Sequence, residues 1–143
     1  NGKYAYLITE LGGNVIVYDY AEGDLTEKQK IVADKNHAEA SADIHVSPDG
    51  RFLYASNRKI DDGIAIYSIN QEDGRLTAIG YQKTGLHPRN FVITDNGKFL
   101  LCANRDSDNI QVFKIDQATG LLTDTHQDIK VSMPVCLKFA TKG

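Results

Sequence analysis

Glu10, Arg58 and Arg105 each close a short apolar run, and they lie 48 and then 47 residues apart in a chain of 143. A second polar set sits just ahead of other apolar runs: Asp43 in "SADIHVS" and His87, Arg89 and Asn90 in "HPRNFVIT". A carboxylate or an imidazole can move a proton if its pKa suits the task. A guanidinium holds a carboxylate or phosphate through two parallel N–H donors and stabilises a developing oxyanion. The set therefore has the residue types for proton transfer on an anionic substrate. Plainer readings compete at each position. Arg58 pairs with Asp43 or Asp61 at a rim, Glu10 caps a loop, and His87 only shapes the extended segment before Pro88.

These residues are tied together by a repeat. "NGKYAYLITE" (1–10), "DGRFLYASNR" (49–58) and "NGKFLLCANR" (96–105) superimpose without gaps. Downstream, "NVIVYDY", "GIAIYSI" and "NIQVFKI" match as alternating strands, and "EGDLT", "DGRLT" and "TGLLT" as turns into a further strand. "SADIHVS", "PRNFVIT" and "PVCLKFA" complete the unit. No stretch has an apolar period of 3.6 long enough for a helix, "HAEASAD" being the nearest. Four short strands per ~40–50 residues are the signature of a β-propeller blade. The fold class is therefore all-β: a propeller of four-stranded antiparallel blades, here a partial ring of about three.

The spacing predicts strands at 42–47, 52–57, 63–69 and 75–83 in the middle unit. The chain then divides into 1–40 (the last three strands of one blade), 41–86 and 87–133 (complete blades) and 134–143 (the inner strand of a closing blade). Closed propellers have four to eight blades, so this chain is expected to be part of a larger ring or to associate through its uncovered faces. Alternating strand positions place Tyr54, Ile64, Ile66, Ile93, Phe99, Leu101, Ile110 and Val112 in the core between blades.

Strand phase also predicts where the polar residues meet. Strands of a blade run antiparallel, so the start of each inner strand and the end of each second strand share one rim. Asp43, His87, Arg89 and Asn90 take the first position, and Glu10, Arg58 and Arg105 the second. The turns of the other face, "SPDG", "TDNG" and "QEDG", have ordinary turn chemistry.

Several classes are excluded or disfavoured. The chain has a formal charge of −3 and no clustered Lys and Arg, so no nucleic-acid partner is expected. No apolar run approaches the ~20 residues of a membrane helix, and no signal-peptide pattern opens the chain. Cys102 and Cys136 form no CxxC, which favours two thiols in a reducing cytoplasm. "RDSDN" (105–109) lacks calcium-loop spacing. No P-loop, nucleophile elbow or zinc pattern occurs, so neither metal nor cofactor is expected. His45, inside the inner strand, reads as a packed or channel-lining residue.

"DIHVSPDGRFLYASNR" together with "HPRNF" one unit later resembles the seven-bladed lactonase propellers. These comprise propeller-type 6-phosphogluconolactonases and 3-carboxy-cis,cis-muconate lactonizing enzymes. The resemblance spans essentially the whole chain, or about three blades of that ring. It implies hydrolysis of an anionic sugar lactone, with cycloisomerisation of a carboxylated substrate and a non-catalytic scaffold as alternatives. It also implies Glu10, Arg58 and His87 as catalytic residues with Arg89 beside them, and the shared rim adds Asn90, Asp43 and Arg105 to Arg89 as residues holding the substrate. On this reading Arg58→Lys depresses turnover rather than folding.

Overall fold

The computed structural model describes residues 2–140, and in it the repeat forms three antiparallel sheets. The first holds β1 (Tyr4–Thr9), β2 (Asn14–Ala21) and β3 (Asp24–Val32) in sequential order. The second holds β4 (Ser41–Val46), β5 (Phe52–Asn57), β6 (Gly63–Ile69) and β7 (Leu76–Lys83), again in order. The third pairs β8 (Pro88–Ile93), β9 (Phe99–Asn104) and β10 (Asn109–Ile115), with an outer edge in two pieces, β11 (Leu122–Asp124) and β12 (Ile129–Lys130). The predicted strands of the middle unit are met within a residue. Among the described residues the only helical turn is a 3₁₀ turn, Arg105–Ser107.

Two expectations need correction. The outer strand of the third sheet is interrupted after Asp124, whose carboxylate accepts from the His126 N–H at 2.8 Å in a tight local turn. Residues 134–140 form no strand, because among the described residues no second strand lies beside them to complete a ladder; residues 141–143 lie outside the described residues.

Blade packs on blade through two apolar layers. Val15 and Val17 of β2 meet Leu53, Ala55, Ala65 and Tyr67 of the second sheet. The opposite face of that sheet presents Phe52, Tyr54, Ile64 and Ile66 to Phe91, Leu100, Cys102 and Phe113 of the third. Side chains alternate across a strand, so each sheet serves two interfaces. Of the expected core, Tyr54, Ile64 and Ile66 are buried and Ile93 packs against them. Phe99 is instead 36% exposed, and Leu101, Ile110 and Val112 are half-buried. They belong to the alternate face of the third sheet, which no further sheet of this chain covers.

The interfaces repeat in detail. Gly74 and Gly120 adopt left-handed conformations, φ 74° and 77°, in the turns before the outer strands. A Cβ at either position would collide with the ring of Tyr4 or Phe52 on the preceding blade, so close approach and backbone sign both require glycine. Their carbonyls accept hydrogen bonds from Tyr6 and Tyr54 at 2.9 and 2.8 Å. The sequence repeat is therefore also a repeat of inter-blade contacts.

Candidate active site

One extra residue enters each complete inner strand near its start. The register of β4 on β5 shifts between Ser41 and Ile44, and that of β8 on β9 between Pro88 and Asn90. A bulge of this kind bends a strand and redirects side chains. Here the displaced positions include Asp43 and Arg89. Both face an open cleft of ≈ 320 Å³ that Glu10, Arg58 and Asn90 also line, with Ile8, Ser41, Ala42 and Val135 between them. The strand-phase argument thus predicts the observed convergence of five of its seven residues.

Arg58 is the centre of the arrangement. It is only 5% exposed. Its Nε donates to the Ala40 carbonyl at 2.8 Å, and Nη2 to Glu10 Oε1 at 2.6 Å and the Ser41 carbonyl at 3.3 Å. Nη1 lies 3.0 Å from His87 Nε2. Four of the five guanidinium N–H groups are engaged within the protein. The partner of Arg58 is Glu10, 48 residues earlier, rather than Asp43 or Asp61. Two of its acceptors are main-chain carbonyls, which sequence patterns do not reveal.

The remaining residues divide by what they have left to offer. Asp43 accepts on Oδ2 from Asn90 Nδ2 at 2.6 Å, the Phe91 N–H at 3.0 Å and His45 Nε2 at 3.1 Å. Burial opposes its charge, but hydrogen bonds from His45, Phe91 and Ile44 outweigh burial and hold its carboxyl below the ordinary range. Asn90 Oδ1 accepts in turn from the Leu137 N–H at 2.7 Å. Asp43, Asn90 and Leu137 recur every 47 residues, so the two polar side chains stitch successive inner segments together. By contrast Arg89 is exposed, and its side chain makes no hydrogen bond or ion pair among the described residues. Glu10 is 60% exposed and has a second oxygen free of protein partners among the described residues.

His87 and Arg105 do not line the cleft. His87 lies against Arg58, with Nδ1 3.5 Å from Asp106 Oδ2. Burial, Arg105 and Arg58 lower its pKa, and the Asp106 charge only partly offsets them. Arg105 forks onto its neighbour Asp106 at 2.6 and 3.1 Å. Asp106 falls in "RDSDN", a run that reads from sequence as a mere turn. His45 contacts the Phe91 ring edge-on at 4.8 Å as well as Asp43, combining packing with a polar role. Among the described residues no cluster suits a metal ion.

Repeated antiparallel blades of up to four main strands, packed face to face, define a β-propeller. The chain matches the family described as "Lactonase, 7-bladed beta-propeller" over residues 1–139, and it belongs to that family. It is 46% identical to the 6-phosphogluconolactonase of Formosa agariphila, over 99% of this chain and 41% of the relative. Identity to that of Bacillus subtilis is 38%, over 96% and 41%. A Bacteroides uniformis protein provisionally named 6-phosphogluconolactonase superimposes with a TM-score of 0.97 at 61% identity, covering 98% of this chain and 41% of that one. The periplasmic gluconolactonase of Pseudomonas aeruginosa gives 0.91 at 31%, covering 98% and 40%. The chain thus spans about two-fifths of the length of these relatives. Among its described residues no helix is long and apolar enough to cross a membrane.

Proposed function

We propose that this chain contributes one side of the active site of a sugar-lactone hydrolase, of the 6-phosphogluconolactonase type, in a ring completed by further blades. The observation that carries the reading is the division of labour in the cleft. Arg58 is largely spent on orienting Glu10, whereas the Arg89 side chain has no partner among the described residues at the same mouth. Arg89 grips the phosphate or carboxylate of the substrate. The second oxygen of Glu10 takes a proton from water attacking the lactone carbonyl, and returns it to the ring oxygen as the tetrahedral intermediate collapses and the ring C–O bond breaks. With its N–H groups largely taken up by the protein, Arg58 acts on the negative charge that develops on the carbonyl oxygen through its fixed positive field rather than as a donor. The relatives' names support hydrolysis, and neither the lactonizing nor the non-catalytic alternative draws support from them. The reading places the protein in the cytoplasm, in keeping with two free thiols, one buried and one exposed.

Glu10→Gln keeps shape and one acceptor but removes the base. In the full-length protein, kcat on 6-phosphogluconolactone should fall by ~10²–10⁴-fold, far more than the small loss of stability expected when the ion pair with Arg58 becomes a neutral hydrogen bond. An unaltered rate would place the base elsewhere.

A further inference from the structure

His87 offers a group that the proposed chemistry does not use directly. Its main chain is held in the left-handed region, φ 58°, a conformation unfavourable to a non-glycine residue. Neighbours on both sides fix it there. Asp62 Oδ1 accepts from its N–H at 2.7 Å, and the Arg105 N–H donates to its carbonyl at 3.0 Å. The imidazole is 13% exposed and sits between two charged partners, Arg58 at Nε2 and Asp106 at Nδ1.

Arginine has five donors and no acceptor. The 3.0 Å contact from Nη1 is therefore a hydrogen bond only if Nε2 carries a lone pair. The proton of a neutral ring then lies on Nδ1, facing the Asp106 carboxylate. From this geometry we infer that His87 is a positioning residue for Arg58: a neutral acceptor, oriented by Asp106, that fixes the plane in which the guanidinium meets Glu10. This rests on the lactonase reading above only for its effect on rate. Protonation of His87 would put an N–H against Nη1 and a second cation beside Arg58, so the arrangement is built for the neutral ring. The charged groups facing His87 are Arg58 at the end of β5, Arg89 on β8, and Arg105 and Asp106 in the 3₁₀ turn, with Asp62 at its amide. Burial and the three arginines keep the ring neutral to lower pH than a free imidazole.

Two measurements on the full-length protein test this. Long-range ¹H–¹⁵N spectra, with His87 assigned by its loss in His87→Gln, should show Nδ1 protonated and Nε2 bare at neutral pH. A proton on Nε2 would overturn the inference, whether or not the protein proves to be a lactonase. Kinetics then separate the roles. Glutamine places a carbonyl oxygen near the Nε2 position without titrating, so His87→Gln should keep kcat within about threefold and move the acid limb of its pH profile. His87→Leu removes the acceptor and should lower kcat by up to about 10²-fold, the scale of a misplaced catalytic group, with little change in KM. Equal large losses in both variants would make the imidazole itself a proton carrier; equal wild-type rates and pH profiles would leave it no part in the site. Either outcome refutes the positioning role. A full-length protein inactive on every lactone, yet carrying the Nδ1–H tautomer, would refute the lactonase reading and leave the contact with Arg58 standing.

Discussion

Arg58 has almost no unused hydrogen-bonding capacity, and this changes what its substitution does. Lysine lacks the planar fork and cannot reach the Ala40 and Ser41 carbonyls, Glu10 and His87 together. The sequence led to the expectation of a loss of turnover alone. The buried carbonyl of Ala40 adds a folding cost, because an unsatisfied buried acceptor costs about 1–3 kcal/mol. Arg58→Lys should therefore lower stability by that amount in a denaturant melt as well as slowing turnover; a variant with wild-type stability would show that these contacts contribute little. Residue types and spacing made Glu10, Arg58 and Arg89 visible in the sequence. The assignment of Arg58 as a hub, and of Arg89 as a side chain without a partner among the described residues, was not visible, because it depends on main-chain carbonyls and on contacts 48 and 29 residues away in sequence.

The repeat told the strands apart and gave their order, but not which face of each strand is covered. Alternation places Phe99 in the core and passes over Phe113, whereas Phe113 is fully buried and Phe99 36% exposed. Only the blade arrangement shows that Phe113 packs into the second sheet while Phe99 points to an uncovered face. Phe113→Ala should cost about 3–5 kcal/mol, the range for a buried phenylalanine. Phe99→Ala in this chain alone should cost less than about 1 kcal/mol. Matching losses in parallel urea melts would mean that both faces are covered. The bulges that turn Asp43 and Arg89 into the cleft were likewise hidden, since an extra residue in a strand leaves little trace in a short polar–apolar pattern. Inner segments are joined by side chains rather than by a shared ladder, with Asp43 and Asn90 making the connection.

At the scale of the molecule, three blades were legible because each repeats the same turns and aromatic positions. Leu7 on one flank and Phe99 on the other remain exposed, and the family is described as seven-bladed. We propose that this chain expressed alone covers them by self-association. Light scattering should report species larger than the 15.8 kDa monomer, and an apolar dye should bind at low concentration; a monomer that binds no dye would contradict this. The central claim, however, concerns the rim. Its most direct test is a crystal structure of the full-length protein with 6-phosphogluconate, the hydrolysis product. The account predicts that an anionic group of the ligand lies against Arg89, in the cleft bounded by Glu10 and Arg58. A ligand seated on the opposite face, at the turns around Gly50 and Gly97, would contradict it.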